Sequence, residues 1–113
     1  MNSKIENENA EKVGRPIIEC LTEAYVTSDY GFMSKNFPEL TMEITQEIFN
    51  EGVKDLKPMG NVSSIDFLGL FDKTDEQVLL WKVRYEKLGG DVLWHIFLTE
   101  HDGELKTTAI CII

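Results

Sequence analysis

Apolar residues recur every three or four positions in the first half of the chain and every second position in the second half. The change falls at Met59-Gly60. In the first half, Val13, Ile17, Leu21, Ala24 and Tyr25 share one helical stripe, with Glu19 and Glu23 on other faces. Pro16 lies early in that stripe and marks the first turn or bends the start of the helix. Ser28 or Asp29 begins a break. The following "DYGFMSKNF" predicts a short helical turn bringing Tyr30, Phe32 and Phe37 inward. In "PELTMEITQEIFNEGVKDLK", Pro38 suits a first-turn position and Thr45 suits an N-cap. Ile48, Phe49, Val53 and Leu56 form the inward face there, Lys54 and Lys57 favour the carboxyl end of the dipole, and Pro58 with Gly60 ends the helix.

After Gly60 the period is two. Ile65, Phe67, Gly69 and Phe71 alternate with Ser64, Asp66, Leu68 and Leu70. Leu79, Trp81, Val83 and Tyr85 alternate with Val78, Leu80, Lys82 and Arg84. Val92, Trp94, Ile96 and Leu98 alternate with Leu93, His95 and Phe97. "ELKTTAICII" supplies a fourth strand. The connections "DKTD", "LGGD" and "EHDG" are short, and Gly89-Gly90 and Asp102-Gly103 are the expected sources of positive φ for tight hairpins. Helices followed by strands predict an α+β domain. Two or three N-terminal helices cover one face of a four-stranded antiparallel meander. Residues 1–9 read as a disordered polar tail and 10–113 as a single domain.

Composition narrows the functional classes. The 113 residues carry a net charge of -9, which disfavours sequence-independent nucleic-acid binding and docking on an anionic membrane. No apolar run approaches the roughly 20 residues of a bilayer span, and the opening "MNSKIENENAEK" lacks the apolar core of a secretory signal. A cytoplasmic protein is expected, with Cys20 and Cys111 as buried free thiols.

The candidate chemistry is sparse. There is no GxGxxG, GxxxxGK[ST], HExxH or GxSxG pattern. His95 and His101 fall in one strand and its following turn, about 20 Å apart at roughly 3.3 Å per residue, so they share neither metal nor substrate. Glu39, Glu43, Glu47, Glu51 and Asp55 recur every four residues, but carboxylates strung along a helix diverge and Thr45 interrupts them. Neither a metal nor a cofactor is expected. Tyr25, Trp81, Tyr85 and Trp94 are the candidate lining of a pocket for a small apolar ligand, a role that competes with simple core packing.

The succession "TSDYGFMSKNF", "LTMEITQEIFNEGVKDLKPMG", "VSSIDFLGLF", "VLLWKVRYEK" and "DVLWHIFLTEHDGELKTTAICI" resembles the nuclear-transport-factor-2-like (cystatin-like) superfamily. Within it, the chain is most similar to small bacterial and archaeal domains of uncharacterised function. The resemblance implies a curved sheet wrapped around the first helix as a cone, a cavity at the open end and dimerisation through sheet faces. It implies no particular reaction. Enzymatic members hold an acid with a tyrosine or histidine inside the cone. No catalytic Asp maps onto this chain by the resemblance, and Asp29 or Asp66 beside Tyr85 is the candidate pair for the alternative, an enzyme of isomerase or hydratase type. The reading is therefore a non-enzymatic association or small-ligand-binding domain. A homodimer is expected through the second sheet face, centred on Leu80, Leu93, His95 and Phe97, with Leu68, Leu70 and Val78 around them and Ile110 and Ile112 joining if Leu105 faces inward.

Overall fold

A computed structural model of the chain describes residues 4–113. Three α-helices, α1 (Ala10–Val26), α2 (Tyr30–Asn36) and α3 (Gln46–Leu56), precede four strands, β1 (Val62–Asp72), β2 (Gln77–Tyr85), β3 (Asp91–His101) and β4 (Glu104–Ile112). The strands form one open antiparallel sheet in the order β1-β2-β3-β4. The fold is α+β, with the helices packed on one face.

Local chemistry sets the helix boundaries. Asp29 caps α2 by accepting from the Phe32 amide at 2.9 Å, and Thr45 caps α3 by accepting from Ile48. Pro38 opens a 3₁₀ turn, Pro38–Met42, which separates Glu39 from the acids on α3 and so divides the acidic series. Pro16 is in the interior of α1, where its missing N–H leaves one carbonyl of the preceding turn without a helical donor.

The expected stripe of α1 holds at Leu21, Ala24 and Tyr25, which are buried, and at Ile17, which packs against the core, but Val13 is 42% exposed. Ala10, Gly14, Ile18 and Thr22 are buried as well. Gly14 brings the start of the helix close to the sheet. A Cβ there would lie 2.7 Å from Leu79 Cδ1 and 3.0 Å from Trp81 Cζ2, so glycine is what lets the helix approach the large side chains of β2. On α3, Phe49 and Leu56 are buried but Ile48 is 53% exposed, and on α2 Met33 is buried in place of Phe32.

The inner rows of β2 and β3 follow the alternation. Leu79, Trp81, Val83 and Tyr85, and Val92, Trp94, Ile96 and Leu98, are all buried in the core shared with the helices. Trp81 and Trp94 are register partners. The outer two strands depart from it. In β1 the register slips between Phe67 and Gly69, so Leu68 is an extra residue. Beyond it Leu70 turns inward opposite Leu79, and Phe71 turns outward opposite Val78, reversing the faces the alternation assigns. In β4 Thr108 is the extra residue opposite the Phe97–Leu98 step. Leu105 packs against the core, and past the bulge so do Ile110 and Ile112, which therefore leave the outer face.

Two further expectations change. Asp102 (φ 53) and Gly103 (φ 80) make the left-handed turn between β3 and β4, but neither Gly89 nor Gly90 has positive φ. The five residues 86–90 form a longer loop instead. The polar N-terminal segment is also anchored. Ile5 is buried, its amide donates to Gln77 Oε1 at 2.8 Å, and Gln77 Nε2 donates back to the Ile5 carbonyl at 2.7 Å. Residues 1–3 of the expected tail lie outside the described residues.

Candidate functional site: a cleft between two tyrosines

A cleft lies where the carboxyl ends of α1 and α3 meet the start of β1 and the end of β2. It encloses about 350 Å³ and is lined by Tyr25 to Ser28, Val53, Leu56, Lys57, Gly60, Asn61 and Tyr85. That volume is at the low end of the range for small-molecule sites.

Its walls are fixed by backbone hydrogen bonds. The last turn of α1 closes as a Schellman motif: the Asp29 amide donates to the Ala24 carbonyl at 2.8 Å and the Ser28 amide to the Tyr25 carbonyl at 3.3 Å. Ser28 thereby adopts φ 57, a left-handed conformation that disfavours a residue with a Cβ. On the opposite rim, the Glu86 amide donates to the Asn61 carbonyl and the Lys87 amide to the Met59 carbonyl, both at 2.9 Å. Glu86 Oε1 also accepts from the Asn61 amide at 3.2 Å.

Tyr25 stands between the helices and the sheet. Its ring is 4.5 Å from Phe49 and meets Trp94 edge-on at 5.7 Å. Gly52 makes room for it, since a Cβ at that position would lie 2.8 Å from Tyr25 Cε2. Burial pushes the Tyr25 phenol up to about 12, with a smaller contribution from Tyr30. Burial also raises the Tyr85 phenol. Both rings are therefore neutral hydrogen-bond donors over the physiological range.

Tyr85 is 3% exposed, and its hydroxyl is buried without a hydrogen-bond partner. The Trp94 indole N–H lies near enough to favour the phenolate slightly, opposing the effect of burial. The two groups nevertheless miss hydrogen-bonding geometry, and both Trp94 Nε1 and Trp81 Nε1 are unpartnered as well. Geometry is the stricter criterion for a hydrogen bond, so the Tyr85–Trp94 approach counts as a contact.

Of the four side chains suggested as pocket lining, Tyr25 and Tyr85 border the cleft, while Trp81 and Trp94 are fully buried beneath the helices. Trp81 packs instead against Phe67, ring centroids 5.0 Å apart and tilted, and lies under the Arg15 guanidinium at 5.3 Å. Lys57, Ser28 and Asn61 were not legible as lining, because the turns that bring them together join parts of the chain far apart in sequence.

The acid–tyrosine pair does not assemble. Asp29 is spent as the cap of α2, and Asp66 is exposed on the outer face opposite Lys82, away from Tyr85. No group of three or more His, Cys, Asp or Glu among the described residues is arranged to hold a metal ion. His101 ends β3 and is exposed, and His95 contacts the Cys111 carbonyl through Nδ1 at 3.3 Å. Both cysteines are free, with Cys20 partly exposed and Cys111 exposed, so the expectation that they are buried does not hold. Cys111 is on the outer face because the β4 bulge places it opposite His95.

The outer face carries the four suggested association residues, Leu80, Leu93, His95 and Phe97, each partly exposed. Val78, flanked in register by Phe71 and Phe97, is buried there outside the main core, and Phe71 is 55% exposed. No helix among the described residues is long and apolar enough to cross a membrane.

No family model matches the chain, and neither a curated protein nor a solved structure matches it.

Proposed function

We propose that this protein is a non-enzymatic domain that binds a small, largely apolar ligand in the cleft between Tyr25 and Tyr85. The observation that carries this reading is that Tyr85, which borders the cleft, has a buried hydroxyl without a hydrogen-bond partner. A buried polar group without a partner costs about 1–3 kcal/mol, and a ligand atom is a partner that offsets this cost. Val26, Val53 and Leu56 supply apolar lining. The nuclear-transport-factor-2-like resemblance, which implies a cavity at the open end of a cone around the first helix, supports the same reading. A cytoplasmic location belongs to the same reading. The test is amide chemical-shift perturbation with 1-octanol. Shifts confined to the surroundings of Ser28, Val53, Gly60 and Asn61 support the reading; shifts spread over the surface, or absent there for 1-octanol and for its carboxylate and amine analogues alike, overturn it.

The exposed apolar outer face favours a second property, association as a homodimer. Phe71, Leu80, Leu93 and Phe97 form an apolar centre. At one end of the face, Lys82 stands opposite Asp66, charges that a two-fold axis can cross-pair, while Arg84 already pairs with Asp91 at 2.7 Å. Light scattering at micromolar concentration should give a dimer mass, and Phe97→Glu should give a monomer, because it places a carboxylate in an apolar interface. A monomer mass for the unmodified protein overturns dimerisation and leaves the cleft reading intact.

A further inference from the structure

We infer that the ligand of the Tyr25–Tyr85 cleft carries a hydrogen-bond-accepting, negatively charged head, so that its class is that of small amphiphilic carboxylates. This inference rests on the cleft being a ligand site.

The polar groups lacking partners around the cleft are donors. Tyr85 Oη and Trp94 Nε1 lie close together, and neither is satisfied. The indole N–H can only donate, so it cannot accept the phenolic proton. Tyr85 borders the cleft and its O–H lacks an acceptor. A ligand that accepts supplies one.

Charge selects among acceptors. The lining contains one ionised side chain, the Lys57 ammonium, and no carboxylate. This is a local exception on a chain of net charge -9. On the rim, the Glu86 carboxylate has Oε1 engaged with the Asn61 amide. A carboxylate head reaching Tyr85 while its charge faces Lys57 gains a charge-assisted hydrogen bond and a partly exposed ion pair. Its hydrocarbon tail meets Val26, Val53 and Leu56.

Three probes with matched tails separate the possibilities: octanoate, 1-octanol and octylamine, titrated into the intact protein and followed by amide shifts. Octanoate is expected to bind about tenfold more tightly than 1-octanol, and octylamine more weakly than either. Tyr85→Phe should weaken octanoate by about fivefold. The same change should leave the fold as stable as before or more so, since it deletes an unsatisfied hydroxyl. Lys57→Met, at an exposed position, should weaken octanoate by about two- to fivefold and leave 1-octanol unchanged. Equal affinity for octanoate and 1-octanol, or an octanoate affinity indifferent to both substitutions, overturns the carboxylate class while the cleft remains a ligand site. Failure of all three probes to perturb the cleft overturns both.

Discussion

Gln77 holds Ile5 at both ends of one peptide unit, accepting from its amide at 2.8 Å and donating to its carbonyl at 2.7 Å across 72 positions of sequence. The glutamine is 1% exposed, so its amide has been withdrawn from water and is matched to one backbone residue. Together with Ile5 burial, this fastens the segment before α1 to the start of β2. Gln77→Leu removes both partners and leaves two buried backbone groups unsatisfied. It should cost about 1–3 kcal/mol, the upper end being limited by release of the segment. Hydrogen exchange should report that release directly, with Ile5 losing protection well before the Trp81 amide. Concerted loss of protection at both positions would show that the segment has no separate opening.

The bulge at Leu68 makes a paired prediction, because neighbouring residues exchange faces across it. Leu70→Ala should cost about 2–3 kcal/mol, as expected for a partly buried core leucine opposite Leu79. Phe71→Ala, despite removing the larger side chain, should cost under about 1 kcal/mol in the monomer, since the ring is 55% exposed. Urea unfolding of the two variants at a concentration too low for association decides the matter. The opposite order would place the register slip elsewhere.

That bulge also marks where the sequence stops being informative. Strands β2 and β3 keep strict alternation, and their inner rows from Leu79 to Tyr85 and Val92 to Leu98 can be read directly from it. The Thr45 cap and the order of helices before strands are equally legible, because each depends on neighbours in the chain. One extra residue at Leu68 and another at Thr108 reverse the parity of β1 and β4, and nothing local announces either. Only the pairing partner defines which residue is extra. The close approach of α1 at Gly14 is hidden for a similar reason: it follows from Gly14 meeting Leu79 and Trp81, a contact between distant segments. Of the cleft, two aromatic walls were visible as large inward residues. The rim, made from turns at Ser28 and Gly60, was not.

Ser28 is held at φ 57 by the Schellman closure of α1. A left-handed conformation costs an L-residue about 1–2 kcal/mol, a penalty glycine escapes in the folded state while losing more chain entropy on folding. Ser28→Gly should therefore stabilise the protein by roughly 0.5–1 kcal/mol, seen as a raised Tm in calorimetry. Ser28→Val should lower stability, because a β-branched side chain fits that region worst. If the glycine variant melts below the parent, the serine hydroxyl contributes a stabilisation that outweighs the backbone strain.

The Tyr25 phenol predicts the behaviour of the fold in alkali. In the folded protein burial pushes it up to about 12, whereas the unfolded chain ionises near its ordinary value of 10.0. Between these two values the folded state keeps the proton that the unfolded state has lost. The unfolded state thus binds fewer protons, and stability must fall as pH rises. The contribution of Tyr25 is fully present below about pH 10 and is lost as pH passes through about 12. Tyr85 acts in the same direction, its phenol being raised by burial. Partial contact with water moderates the effect, so the loss assigned to Tyr25 should reach up to about 2 kcal/mol. Tyr25→Phe keeps the ring contacts with Phe49 and Trp94 and removes the ionising group. Its unfolding free energy, measured by urea titration from pH 9 upward, should therefore decline less steeply with pH than that of the unmodified protein. Parallel declines in the two proteins would mean that Tyr25 ionises in the fold as readily as in the unfolded chain, and that its hydroxyl reaches water through the cleft.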